Sequence, residues 1–128
     1  MHTNCQVTLY QDAHVPPNMP QFAKMHLPPG ESYYPPSCWK DLYYALTSAK
    51  EIICITGWAV WDKLKLLRGT DLGIDRRTLG QILIDKANDG VKVYVLVWSD
   101  KSGIMGTHDV ETYNYFKKSK VTCAVAAR

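Results

Sequence analysis

The sequence predicts an α/β fold with a largely parallel sheet, and three observations lead there. Two segments carry apolar residues at helical spacing: Trp39, Leu42, Tyr43, Leu46 and Ala49, then Leu79, Ile82, Leu83 and Ala87. Residues 51–56 and 91–97 are short, strongly apolar runs rich in β-branched side chains, as buried strands are. The two kinds of segment alternate along the chain, which sets strands side by side in parallel with helices on the sheet's faces.

Gln6-Val7-Thr8-Leu9-Tyr10 alternates polar and apolar residues, so a first short strand is expected there, delivering Asp12 and His14 to its carboxyl end. Pro16-Pro17 ends it, and the prolines continue to Pro36 without apolar periodicity, which reads as a long irregular loop. Ser37 is placed to cap the first helix. Residues 51–56 follow as a strand expected to be covered on both faces, with Cys54 as a buried thiol and Gly57 at the exit. The alternation from Trp58 through Leu66 keeps the chain extended as far as Gly69.

Thr78 and Gln81 form a T-x-x-Q capping box for the second helix, and Asn88-Asp89-Gly90 stops it. The strand at residues 91–97 leads to Trp98-Ser99-Asp100 and a glycine-containing loop. Asp109 is positioned to cap a third helix through Tyr113 and Phe116, and residues 121–125 make a last strand.

Composition narrows the function classes. With 46% hydrophobic residues in 128, the chain can bury a core in one small domain, so a disordered reading fails. The charge of +3 arises from 15 basic and 12 acidic residues without a run of one sign to serve as a nucleic-acid or polybasic membrane arm, so no nucleic-acid partner is expected and charge says little else about the partner. Four widely spaced cysteines suit a reducing, cytoplasmic compartment. No apolar stretch is long enough to span a bilayer, and Met1-His2-Thr3-Asn4 does not begin a signal peptide, so contact with a membrane is expected to be peripheral.

In open α/β sheets the site lies at the carboxyl ends of the strands. Those ends point to Asp12 and His14, Gly57-Trp58, Trp98-Ser99-Asp100, and His108-Asp109. No G-x-G-x-x-G or G-x-x-x-x-G-K-[ST] follows a strand, which disfavours a nucleotide-binding protein. His2, His14, His26 and His108 lack zinc-ligand spacing. Asp12, a carboxylate beside a long loop, suits calcium, a cation that prefers oxygen ligands, and equally suits an Asx-turn. Trp39 falls on the helix stripe and belongs to the core. Trp58 and Trp98 either line a pocket or close the end of the sheet, while the four tryptophans together also have the character of a membrane-interface set.

Four blocks, taken together, resemble the plant-type phospholipase D family: V-T-L-Y-Q-D-A-H-V-P at residues 7–16, C-W-K-D-L at 38–42, I-T-G-W at 55–58 and T-H-D-V-E-T at 107–112. Residues 78–83 and 90–98 resemble the family's second helix and following strand. The chain departs from the pattern in a shorter loop after Trp98, in Met105-Gly106-Thr107-His108 where M-A-T-H is usual, and in Ala126-Ala127-Arg128 where Cys-Pro-Arg is usual.

The resemblance implies a partial α-β-α sandwich: residues 1–128 as a single incomplete domain, the N-terminal part of the first catalytic half, without the calcium-dependent lipid-binding domain. It implies a phospholipase D that cleaves the distal phosphodiester of phosphatidylcholine-like lipids to phosphatidic acid and a free head group. Two H-x-K-x-x-x-x-D motifs do this through a phosphohistidine. No histidine here begins such a motif, so no catalytic residue carries over and the chain alone is expected to be inactive. Asp12 matches an aspartate that binds calcium in the family, and the implied partners are the phospholipid substrate and the membrane surface. The alternative is a non-catalytic relative acting as a binding or regulatory module.

Overall fold

The computed structural model describes residues 5–10, 13, 28–29, 36–68, 74–100 and 106–126. Helices and strands alternate through them: α1 (Cys38–Ser48), β1 (Ile52–Gly57), α2 (Leu79–Asn88), β2 (Lys92–Trp98), α3 (Asp109–Phe116) and β3 (Thr122–Ala126). The strands form one parallel sheet in the order β1-β2-β3, with Ile53 opposite Val93 and Val95 opposite Cys123. This is the α/β architecture that the alternation of periods predicts. Among the described residues no helix is long and apolar enough to cross a membrane.

Helix α2 shows how sequence fixes both ends. The Thr78 hydroxyl accepts from the Gln81 N–H at 3.3 Å while the Gln81 side chain accepts from the Thr78 N–H at 2.8 Å. Two further N–H groups of the first turn, on Leu79 and Gly80, donate to the carbonyls of Leu64 and Asp62 at 2.7 and 2.8 Å. At the other end Gly90 takes φ +95°, Gly90 N–H donates to Ala87 and Val91 N–H to Lys86, which is a Schellman stop.

Strand order follows chain order, so right-handed crossovers carry α2 and α3 over one face of the sheet. On that face Ile53, Val93, Val95 and Val97 are buried among Ile82, Leu83 and Phe116. Among the described residues the other face is open: Ile52, Tyr94 and Leu96 stay 54%, 43% and 42% exposed. A shallow groove of about 250 Å³ runs over it, lined by Cys54, Thr56, Tyr94, Leu96, Thr122 and Ala124. The expectation of a β1 covered on both faces is therefore corrected, and Cys54 is exposed on the open side.

Two further expectations change. Residues 5–10 belong to no strand, and Val7 and Leu9 are 82% and 86% exposed. Alternation supplies the pattern of a strand but not the neighbour whose ladder would satisfy its backbone. What the segment does have is Tyr10, whose hydroxyl donates to the Asp41 carboxylate at 3.0 Å. Ser37 occupies the N-cap position of α1, yet its side chain makes no capping hydrogen bond.

Candidate functional site

The carboxyl ends of β1 and β2 bring two tryptophans together. Gly57 is paired with Val97, so Trp58 and Trp98 leave adjacent strands side by side. Their rings meet edge to face, with centroids 6.1 Å apart and planes at 62°. Trp58 remains 55% exposed, and Trp61, three residues on, 52%. Of the two readings for Trp58 and Trp98, the geometry places both indoles at the end of the sheet as a contacting pair.

The buried polar residues gather at this same end. Asp62, Asp100, Thr107 and Asp109 are 9% exposed or less and lie on the chain leaving β1 and β2, and Thr112 is fully buried in α3. The Thr112 hydroxyl donates to the Val60 carbonyl at 2.7 Å, joining α3 to the segment after β1. The Thr107 hydroxyl donates to Asp109 at 3.1 Å. Asp109 is thus the first residue of α3 rather than its cap. The N-cap position falls to His108 in the left-handed region, φ +52°, where its Nδ1 lies 2.6 Å from Glu111 Oε2.

The sequence reading did not single out Asp62 or Thr112. The signal for Asp62 was available: in the alternating row Val60, Asp62, Leu64, Leu66 it holds an inward position among apolar neighbours, where a carboxylate is costly. Thr112 gave no such signal, since its partner is 52 residues away.

A second polar cluster is structural. Asp75 accepts from the Tyr43 hydroxyl at 2.9 Å and pairs with Arg77 at 2.6 Å, and Arg77 also reaches Asp85 at 2.7 Å. Hydrogen bonds from Arg77 hold the Asp75 carboxyl well below the usual carboxylate range, against a smaller opposing effect of burial. The network ties α1 and α2 to the chain between them. Burial pushes the Cys38 and Cys123 thiols up, which suppresses the thiolate a cysteine nucleophile needs.

Asp12 and His14 lie outside the described residues, so neither the calcium reading nor the Asx-turn reading of Asp12 is placed by this geometry. Among the described residues no group of three His, Cys, Asp or Glu side chains converges to hold a metal ion.

Comparison with known proteins completes the picture. The phospholipase D family model matches residues 45–128. The chain is 44% identical over 135 residues to phospholipase D alpha 1 of Oryza sativa subsp. japonica and of Zea mays. It is 42% identical over 139 residues to phospholipase D alpha 2 of Arabidopsis thaliana. Each match takes in 97% of this chain and 16% of the relative. A parallel sheet with its buried polar groups collected at the strands' carboxyl ends, and identity that runs through nearly every described element, lead to one conclusion: the chain belongs to the phospholipase D family, in its plant-type branch.

Proposed function

We propose that these 128 residues form the early part of a catalytic half of a phospholipase D acting on phosphatidylcholine-like lipids, and that they serve as scaffold and rim rather than as reacting groups. The observation that carries this reading is the family match through residues 45–128, combined with a carboxyl-end rim free of any H-x-K-x-x-x-x-D histidine. In the family's chemistry a histidine nitrogen attacks phosphorus. The bond from phosphorus to the head-group oxygen breaks, and a second histidine gives that oxygen a proton. Water, activated by the second histidine, then releases phosphatidic acid. What this chain supplies is the support beneath that chemistry. Thr112 and the Asp62 carbonyl lock the segment after β1 against α3 and α2, and the two indoles close the end of the sheet.

Calcium enters only through the resemblance at Asp12. Asp12 is proposed as one oxygen ligand among others supplied elsewhere.

The test is a replacement. The chain alone should release no choline from phosphatidylcholine micelles above a protein-free blank. Substituted for the aligned segment of rice phospholipase D alpha 1, it should restore choline release and, with ethanol present, phosphatidylethanol formation. A chimera that folds as the parent does but yields neither product would defeat the reading in favour of a non-catalytic binding module.

A further inference from the structure

We infer that the segment joining β1 to α2 is a docking edge for an anionic lipid surface, built from Trp58, Trp61, Lys63, Lys65 and Arg68. The segment alternates. Val60, Asp62 and Leu66 are 5%, 4% and 2% exposed, with Leu64 half-buried between them, while Trp61, Lys63 and Lys65 all point outward. An acidic side chain in the middle of the row is thereby removed from the surface, and between Trp58 and Arg68 the exposed charged residues, Lys63, Lys65 and Arg68, are all positive. This is why the sequence, read for runs of like charge, gives no sign of the patch.

The inward row is fixed at several points. Val60 accepts from Thr112, Asp62 and Leu64 accept from the first turn of α2, and Lys65 bridges to Thr78. The outward row is therefore a preformed edge whose shape does not depend on a partner. Trp58 and Trp61 are each more than half exposed, an unusual state for the largest apolar side chain. An indole has an apolar body and one N–H donor, which suits it to the depth of lipid head groups. Cations beside it add attraction to a negatively charged leaflet. Arg68 also lies 5.8 Å over the ring of Trp39, which steadies the guanidinium at the end of the row. A nucleic acid would also take the cations. The outward tryptophans at the head of the row favour the bilayer.

This inference rests on the phospholipase reading in taking a lipid bilayer as the partner, and binding rather than hydrolysis separates the two. The 128-residue chain is sedimented with phosphatidylcholine vesicles with and without about 30% phosphatidylserine. Binding should require phosphatidylserine and weaken as salt is added. Lys63→Gln/Lys65→Gln should lower affinity by about 25-fold, at roughly fivefold for each cation. Trp61→Ser should lower it severalfold and remove part of the blue shift of tryptophan emission. Lys92→Gln/Lys118→Gln, with the same change in net charge at exposed positions elsewhere, should bind as the parent does. Equal binding to both vesicle types, or equal loss in the two lysine pairs, would overturn the proposal, as would preference for a single-stranded oligonucleotide. Hydrolysis of a monomeric short-chain phosphatidylcholine by the rice chimera reports on the phospholipase reading independently of any vesicle.

Discussion

Gly80 and Asp62 are in backbone contact: the Gly80 N–H donates to the Asp62 carbonyl at 2.8 Å, and a Cβ on Gly80 would lie 3.0 Å from both the Cβ and the carbonyl oxygen of Asp62. It would also come within 2.6 Å of Tyr115 Cε1. The glycine's φ is ordinary for a helix, so the requirement here is space. Three elements, α2, α3 and the segment after β1, meet at the one residue without a side chain.

Gly80→Ala should destabilise the chain by about 1–3 kcal/mol, the usual cost of forcing an extra group into a packed contact, reduced by alanine's better helix propensity. Thermal denaturation followed by circular dichroism checks it. Gly80→Ala/Tyr115→Ala should recover only part of the loss relative to Tyr115→Ala, because the Asp62 contacts stay. A melting temperature at or above the parent's for the single variant would contradict the packing argument.

Thr112→Val keeps the shape of the side chain and removes its hydroxyl. The Val60 carbonyl then loses a 2.7 Å donor at a fully buried site, for an expected cost of about 1–3 kcal/mol. Urea denaturation should show a lower midpoint with an unchanged slope. Thr112→Ser, which retains the hydroxyl, should keep the hydrogen bond and lose only the buried methyl group, so its urea midpoint should fall less.

Asp75 sets an acid limit on stability. Its carboxyl is held below its ordinary value in the folded chain by Arg77, so folding favours the ionised form. The stabilisation is present above the unfolded carboxylate value of about 4 and is lost as pH falls from there toward the folded value. Because Arg77 is 43% exposed, the contribution is screened and modest. The parent chain should lose stability below about pH 4 more steeply than Asp75→Asn, as measured by urea midpoints across the acid range. Parallel pH profiles for the two proteins would rule out this origin.

Asp12→Asn, placed in the active rice chimera, should weaken the calcium response of catalysis more than it lowers the melting temperature. Loss of one anionic oxygen reduces affinity for a hard divalent cation. An Asx-turn tolerates asparagine, which retains the acceptor oxygen. Calcium titration by calorimetry supplies a readout independent of turnover. Superimposable titrations with unchanged thermal stability would return Asp12 to a structural role.

The features legible in the sequence were those that local chemistry decides. The Thr78–Gln81 box and the Gly90 stop are each written within a few consecutive residues, and both form as read. The central strand announces itself through Val91, Val93, Val95 and Val97, and the observed β2 begins one residue later than the run suggests. What could not be read depends on partners distant in the chain. Residues 6–10 have the alternation of a strand but pair with no strand among the described residues, and β1 has the composition of a strand buried on both sides while the described helices cover one. The candidate site divides in the same way. Trp58 and Trp98 follow directly from strand ends and do meet, and the inward position of Asp62 is written in the alternation around it, whereas the bond from Thr112 to Val60 arises only when α3 is packed.

The central position of β2 has a consequence for the order in which the chain can assemble. Every ladder in the sheet includes β2, whose partners stand 40 residues before it at Ile52 and 28 residues after it at Thr122. Closing the longer of these loops costs only a few tenths of a kcal/mol more than the shorter, so chain length gives neither pairing a decisive lead. Both pairings are non-local, and each must wait until its crossover helix has swung across the sheet. Both ladders therefore depend on one strand, loop length favours neither pairing over the other, and a chain in which β2 is disrupted keeps neither edge.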